Sequence, residues 1–192
     1  VSLSSDGNTV AIGAPYNNGN GSNSGHVRIY ENNGGSWTQV GQDIDGETAG
    51  DESGYSVSLS SDGNTVAIGA PYNDGNGSNS GSARVYDWNG SSWSQVGSDI
   101  NGEAVGDHSG NSVSLNASGN ILAVGAIYNQ DNGSNSGHVR VYQHIGNSWV
   151  QMGGDIDGEA LSDQSGRSVS LSSDGLTVAI GELYNDGTSG TD

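Results

Sequence analysis

Apolar and polar residues alternate along short segments of this chain in the way that is typical of β-strands. In residues 57–60 (Val-Ser-Leu-Ser) every second side chain is apolar. The turn signal at 62–64 (Asp-Gly-Asn) is followed by the nearly apolar run 65–70, which predicts a strand covered on both faces. Two further segments, 83–86 and 93–96, complete a set of four predicted strands. Helical periodicity is absent from the sequence, and glycine is too dense for helices.

The same pattern returns every 56 residues. Val-Ser-Leu recurs at Val1, Val57, Val113 and Val169, and the first two units are identical at 42 of 56 positions. The sequence therefore predicts one continuous array of repeat 1 (1–56), repeat 2 (57–112), repeat 3 (113–168) and a partial repeat 4 (169–192). Because the last repeat is partial, we expect the array to be a segment of a longer protein or to assemble with other copies.

Four antiparallel strands in each repeat predict an all-β fold of the β-propeller type, with about three and a half blades in this chain. A linear stack of β-repeats, as in a solenoid, is the alternative architecture. One blade cannot bury its own faces, but stacked blades can. A hydrophobic content of 31% is therefore sufficient for a folded array.

Three short motifs point to a known family of repeats. Residues 53–57 (Ser-Gly-Tyr-Ser-Val) lead into the first strand, 69–71 (Gly-Ala-Pro) end the second, and 137–142 (Gly-His-Val-Arg-Val-Tyr) form the third. Together they resemble the FG-GAP repeat of integrin α-subunit propellers and of many microbial surface proteins. The resemblance implies a β-propeller with a role in extracellular or cell-surface adhesion. It also implies calcium sites in the turn between the first two strands, but the turn at 4–8 has one carboxylate, so that site is not carried over.

Charge and composition exclude several classes of function. The 22 acidic and 4 basic residues give a net charge of −18, which disfavours nucleic acids and anionic membranes as partners. No segment approaches the ~18 consecutive apolar residues of a membrane-spanning helix, so membrane insertion is not expected. The absence of cysteine excludes disulfides, thiolate zinc sites and a cysteine nucleophile.

No catalytic motif is recognisable in the sequence, and the repeats are close copies of one another. Catalytic sites require unlike groups that converge at one place, so near-identical repeats favour a scaffold over an enzyme. We therefore expect no catalytic residues and no required cofactor.

Acidic residues at fixed spacing in the segment that leads to the next repeat are the best candidates for an ion site. They alternate around a glycine, as in part of an EF-hand loop, but lack its closing glutamate. The candidate Ca²⁺ ligands are Asp43, Asp45, Glu47 and Asp51 in repeat 1, Asp99, Asn101, Glu103 and Asp107 in repeat 2, and Asp155, Asp157, Glu159 and Asp163 in repeat 3. The alternative interpretation is an acidic turn in water that binds no ion.

Arginine and tryptophan provide candidate ligand contacts. Arg28, Arg84 and Arg140 occupy one equivalent position on the third strand of each repeat. They are expected to pair with carboxylates of the same or the next blade, and the alternative is a row of cations that binds an acidic glycan. Trp88 occurs in one repeat only and is a candidate exposed contact in a loop. The tryptophans that open the fourth strand are expected to pack between blades.

The polar loop at 17–24 recurs almost unchanged in repeats 2 and 3 and lacks an apolar anchor, so we expect it to be exposed and mobile. Asn-x-Ser sequences make candidate glycosylation sites of Asn20, Asn76 and Asn132 in these loops, and of Asn89 and Asn116 elsewhere. The four histidines do not cluster in the sequence, so a histidine metal site is not expected.

These observations favour an extracellular, non-catalytic structural or adhesive protein that assembles with itself into a ring or a fibre through the edges of its blades. The alternative is a cell-surface propeller that binds a glycan or a protein ligand, with or without Ca²⁺.

Overall fold

A computed structural model describes residues 1–185 and residue 187 as an all-β array of 17 strands. Repeat 1 contains β1 (Ser2–Leu3), β2 (Thr9–Ala14), β3 (His26–Asn33), β4 (Ser36–Gln39) and β5 (Ile44–Asp45). Repeat 2 contains β6 (Ser56–Leu59), β7 (Thr65–Ala70), β8 (Ser82–Trp88), β9 (Trp93–Gln95) and β10 (Ile100–Asn101). β11 (Ser109–Leu115) begins at the end of repeat 2 and continues into repeat 3. Repeat 3 also contains β12 (Ile121–Ala126), β13 (His138–Ile145), β14 (Ser148–Gln151) and β15 (Ile156–Asp157). Repeat 4 contributes β16 (Ser168–Leu171) and β17 (Val178–Gly181). Residues 186 and 188–192 of this repeat lie outside the described part of the chain.

None of the described residues belongs to a helix that could cross a membrane.

Each full repeat folds into one antiparallel sheet, so the predicted all-β fold with four-stranded blades is confirmed. In repeat 2 the order is β6, β7, β8, and the fourth position in the sheet is shared by two short strands. β9 pairs with the end of β8, and β10 pairs with its beginning, where Ile100 lies opposite Ala83. The segment after the fourth strand was expected to be only a connection. It contains this extra strand because Ile100 is buried beside β8.

Burial of a strand depends on whether another repeat precedes it. β2 and β7 have the same sequence, Thr-Val-Ala-Ile-Gly-Ala. Five of the six residues of β7 are buried, whereas only one residue of β2 is. Ile68 in β7 is 1% exposed and Ile12 in β2 is 39% exposed. The core therefore lies between repeats rather than within one sheet.

Two apolar clusters fill the junctions between successive repeats. The cluster between repeats 1 and 2 consists of Ala11, Val27, Ile29, Ile44, Leu59, Val66, Ile68, Tyr86 and Trp93. The cluster between repeats 2 and 3 consists of Ala67, Ala83, Val85, Ile100, Val113, Leu115, Leu122 and Val124. Each junction also has a tryptophan whose indole nitrogen donates a hydrogen bond to the preceding repeat. Trp93 Nε1 lies 2.9 Å from the carbonyl oxygen of Val40, and Trp149 Nε1 lies 2.9 Å from that of Val96.

The first strands of successive repeats are joined by polar contacts that recur with the repeat. The backbone N–H of Leu59 donates to Ser2 Oγ, that of Leu115 to Ser58 Oγ, and that of Leu171 to Ser114 Oγ, all at 2.9 Å. Leucines from all four repeats line one groove of about 200 Å³ beside these strands. The first strands therefore converge on a common line, as the inner strands of propeller blades do around their axis.

The turn between the first two strands is held by its aspartate. In repeat 2, Asp62 Oδ1 accepts hydrogen bonds from Ser60 Oγ at 2.6 Å and from the backbone N–H of Asn64 at 3.0 Å. Gly63 follows with φ at +73°, a conformation that glycine adopts readily. Partial burial alone would raise the pKa of Asp62, but the hydrogen bonds from Ser60 and Asn64 outweigh it and lower the pKa below the ordinary 3.8.

We expect the turn carboxylate to stabilise the fold in a pH-dependent way. Because the pKa of Asp62 is lower in the folded chain, its contribution is fully present above pH 3.8 and is lost as the pH falls through the lowered value. Asp62→Asn should therefore lower the free energy of unfolding at pH 7, and the difference from the parent chain should shrink below pH 3.8. Urea unfolding at several pH values measures this difference. The equivalent residue of repeat 3 is Ser118, so Ser118→Ala serves as the control, with a pH-independent effect.

Candidate functional site

The ion pairs of the described residues join the third strand of a repeat to the segment after the fourth strand of the same or the preceding repeat. In repeat 1, Arg28 Nη2 lies 2.8 Å from Asp43 Oδ2, and Arg28 Nε lies 3.0 Å from Asp43 Oδ1. In repeat 3, Arg140 makes the same two-point contact with Asp155, at 3.0 Å for both nitrogens. Two parallel N–H···O bonds of this kind fix the direction of both side chains.

Arginines of repeats 2 and 3 also reach back to the preceding repeat. Arg84 Nη1 lies 3.5 Å from Glu47 Oε1, and its other terminal nitrogen donates to Ser53 Oγ at 3.2 Å. Arg140 forms an ion pair with Glu103 of repeat 2. The structure thus places the candidate contacts Arg28, Arg84 and Arg140 in ion pairs. Their use in binding a glycan stays a prediction.

The two aspartates that take part in two-point contacts, Asp43 and Asp155, have lowered pKa values. For Asp43 the main cause is the hydrogen bond from Arg28, and Gln39 and the positive charge of Arg28 act in the same direction. For Asp155 partial burial raises the pKa, but the hydrogen bonds from Arg140 and Gln151 outweigh it. Both groups are therefore charged at neutral pH and remain paired.

The predicted calcium ligands do not form one group in any repeat. The first member of each set is half-buried beside an arginine or a glutamine, the second and third are exposed, and the fourth is buried in a turn. Asp51, the fourth member in repeat 1, accepts hydrogen bonds from the backbone N–H of Thr48 and from Asn73 Nδ2, both at 3.0 Å. Asp107 and Asp163 accept from Ala104 and Ala160 in the same way. The fourth member of each set therefore accepts a hydrogen bond within its own turn. Calcium binding by these sets stays a prediction.

Two other groups of metal-binding side chains come together instead. One contains His26, Asp43 and Asp45 in repeat 1. The other contains Glu103, Asp131, His138 and Asp155, and one nitrogen or oxygen atom from each lies within 4.8 Å of the others. The second group could not be predicted from the sequence, because its members lie on four segments separated by up to 52 residues. The recurrence of histidine at 26 and 138 was the one local signal.

Trp88 is not in a loop as expected. It is the last residue of β8, is half-buried, and packs on Trp93 with the ring centres 5.5 Å apart. It also lies against Gly41 and the apolar cluster between repeats 1 and 2. Its role as a ligand contact stays a prediction, since only part of the ring is exposed.

The predicted glycosylation sites differ in their access to solvent. Asn20, Asn76 and Asn132 are exposed, but the side-chain nitrogen of each donates to two backbone carbonyl oxygens after the last strand of the same repeat. Asn89 is exposed in the hairpin loop after β8, whereas Asn116 is buried in a turn. The polar loops are thus held by hydrogen bonds rather than by apolar anchors, and Ser24, Ser80 and Ser136 within them are fully buried.

A shallow cleft of about 320 Å³ lies between repeats 2 and 3. Its walls include Asp99 and Asn101 on one side and Tyr142 and Trp149 on the other. Carboxylate, amide and aromatic groups in one cleft are suited to a small polar ligand.

Comparison with known proteins connects this array to one family of repeats. Residues 43–86 and 101–142 match a family model described as the FG-GAP repeat. The two matches are offset by 58 and 56 residues at their ends, in agreement with the repeat length. No curated protein matches the sequence.

Solved structures with a similar fold cover nearly all of the chain. One is a protein from Bacteroides uniformis described as a "putative 6-phosphogluconolactonase". It shares 10% sequence identity with this chain over 93% of this chain's length, with a TM-score of 0.60. A protein from Bacteroides fragilis with the same description shares 12% identity over 93% of the chain, with a TM-score of 0.56. The chain spans 45% and 40% of those two proteins. At this level of identity the similarity supports the fold alone.

Proposed function

Because the chain belongs to the FG-GAP repeat family, we propose that it is a non-catalytic structural or adhesive protein of the cell exterior that assembles with itself through the outer faces of its blades. The family match supports an adhesive role. The similar structures carry the description of an enzyme, but their low identity transfers no activity to this chain.

The observation that carries the proposal is the exposure of the two outer faces of the array. Trp37 is 48% exposed, whereas Trp93, at the same position of repeat 2, is 4% exposed. At the opposite face, Met152 and Ile156 are exposed although Ile44 and Ile100, equivalent to Ile156, are buried. Each outer face thus presents a set of side chains that is buried at the junctions within the array.

A further blade of the same kind would cover these faces with contacts that the chain already makes twice. The indole nitrogen of Trp37 would donate to a backbone carbonyl of a neighbouring blade, as those of Trp93 and Trp149 do. We therefore propose a second copy as the partner, joined through the same blade contact into a ring or a filament. Apolar area of this kind supplies the main driving force for association.

Light scattering on the chain, with and without Ca²⁺, tests the proposal. We expect a mass of at least twice the 19.4 kDa of one chain. A discrete dimer would support a ring, and a large open-ended species would support a filament. A folded monomer at high concentration would contradict self-assembly in either form, and a mass that changes with Ca²⁺ would support the predicted calcium sites.

Two matched variants identify the surface involved. Trp37→Glu places a charge on the outer face and should reduce the mass to that of one chain. Val105 is 63% exposed in the segment after β10, away from both outer faces, so Val105→Glu should leave the mass unchanged. Equal effects of the two variants would mean that the chains associate through exposed apolar side chains in general and not through the outer face that contains Trp37.

The cleft between repeats 2 and 3 supports the second candidate function, a propeller that binds a glycan or a protein ligand. Asp99 and the rings of Tyr142 and Trp149 line this cleft and offer hydrogen bonds and stacking to a sugar. A monomer in the light-scattering experiment would favour this function over self-assembly.

A further inference from the structure

We propose that Glu103, Asp131, His138 and Asp155 bind a divalent transition-metal ion of the Zn²⁺ type at the junction of repeats 2 and 3. This inference is independent of the proposed self-assembly. Glu103 follows β10 in repeat 2, Asp131 lies between β12 and β13, His138 is the first residue of β13, and Asp155 precedes β15. One ligand atom from each residue lies within 4.8 Å of the other three.

The histidine gives evidence that does not depend on the acidic cluster. His138 is 2% exposed, and its Nδ1 has no hydrogen bond to any residue that the structure describes. This nitrogen faces the carboxylates, at 3.7 Å from Asp155 Oδ2, which is too long for a hydrogen bond. A buried polar atom without a partner destabilises the fold unless a ligand satisfies it. A metal ion between Nδ1 and the carboxylates would supply that partner.

The charge of the group also calls for a cation. Three carboxylates meet one guanidinium, that of Arg140, which contacts Asp155 and Glu103. With neutral His138 the formal sum is −3 + 1 = −2, which a divalent ion balances. Arg140 would remain as an outer partner that orients the carboxylates, as hydrogen-bonded groups around metal ligands do.

The ligand types select the class of metal. One imidazole nitrogen with carboxylate oxygens suits Zn²⁺ and related transition metals, which form bonds of about 2.0–2.2 Å to these atoms. Ca²⁺ instead requires six to eight oxygen ligands. Glu103 and Asp131 are exposed and can move inward to close the remaining distance, whereas His138 is fixed at the start of its strand.

The other repeats lack part of the group and show which substitutions the fold accepts. In repeat 2, Ser82 occupies the position of His138 and Gly75 that of Asp131. In repeat 1 the histidine is present as His26, but Gly19 replaces Asp131. The repeat 1 group therefore has three members and no contribution from a preceding repeat among the described residues. His138→Ser and Asp131→Gly thus introduce residues that the same fold already carries at equivalent positions.

Isothermal titration of the chelator-treated chain with ZnCl₂ at pH 7 tests the site. We expect one tight site per chain, weakened at least about 100-fold in His138→Ser and at least about tenfold in Asp131→Gly, because loss of an outer partner of a metal ligand already costs about 10–100-fold in affinity. His26→Ser is the matched control and should retain the tight site. Thermal unfolding with excess chelator should give a cooperative transition for both the parent chain and His138→Ser, so that loss of binding is not loss of fold. At a Zn²⁺ concentration that saturates the tight site, the unfolding midpoint of the parent chain should rise, and that of His138→Ser should stay unchanged.

Three results would overturn the proposal. The first is no binding of Zn²⁺ by the parent chain. The second is equal affinity in the parent chain and His138→Ser, which would mean general binding to the acidic surface. The third is displacement of Zn²⁺ by an equimolar amount of Ca²⁺, which would place the ion on oxygen ligands without the histidine.

Discussion

Replacing Trp93 with alanine should lower the free energy of unfolding by about 3–5 kcal/mol, the range for removal of a large buried aromatic side chain. Trp93 is buried between repeats 1 and 2, packs on Trp88, and donates its indole N–H to Val40. The variant loses these contacts and leaves a cavity at the junction. Urea unfolding followed by far-ultraviolet circular dichroism measures the change.

Trp37→Ala is the matched control, because Trp37 holds the same position of the repeat without a preceding repeat against it. We expect a loss of less than about 1 kcal/mol, as for most exposed positions. Both variants should be measured at a concentration at which light scattering gives a single chain, so that association does not contribute. Equal losses for Trp37 and Trp93 would show that the tryptophan acts within its own sheet and not at the junction.

Gly69→Ala is expected to destabilise the chain by about 3 kcal/mol or more, because the added methyl group has no space and the backbone must move. A Cβ atom at Gly69 would overlap with the carbonyl oxygen of Gly110 and with Ser56 Oγ. Gly110 lies in β11, the first strand of the next sheet, so the backbones of the two sheets would be forced apart. Thermal and urea unfolding should both show the loss.

Gly154→Ala serves as the control for this substitution. No heavy atom lies within 4 Å of a Cβ built at Gly154, and its φ is outside the left-handed region. Alanine at this position should leave the free energy of unfolding unchanged or raise it by up to about 1 kcal/mol, because alanine reduces the conformational entropy of the unfolded chain. A small effect at Gly69 would mean that the repeats can separate by the width of a methyl group at little cost.

The strands could be predicted from the sequence, since alternation and turn signals are local properties. The segment Thr65–Ala70 is nearly apolar, and the structure buries five of its six residues. The register of Trp37, Trp93 and Trp149 predicted packing between repeats, and the indole hydrogen bonds of Trp93 and Trp149 show that contact.

Features that depend on distant residues could not be predicted in this way. β10 has two residues, too few to show any periodicity, and forms because β8 presents an open edge. The loop at 17–24 was expected to be mobile for lack of apolar residues, but Ser24 is buried and Asn20 bonds to the carbonyls of Gly46 and Glu47. Polar anchors of this kind have no signature in a hydrophobicity pattern.

The candidate metal group could not be predicted either, because its members come from two repeats. The acidic spacing in the sequence suggested that neighbours such as Asp43 and Asp51 would converge, yet they face different partners. Glu103 meets Asp155 because one repeat packs on the next, a contact that no spacing within a repeat reveals.

The contacts between repeats recur at a constant offset, and this bears on how such a protein can change in evolution. The backbone N–H of Ser5, Ser61 and Ala117 each donates to the residue 56 positions later. A gene duplication or deletion of one whole repeat would therefore recreate every junction with its partners in place. An insertion of a single residue in the middle of a repeat would instead change the offset at the junctions on both sides of that repeat, because the contacts Val40–Trp93 and Ser61–Ala117 both span it. Such arrays are therefore expected to gain and lose length in whole units.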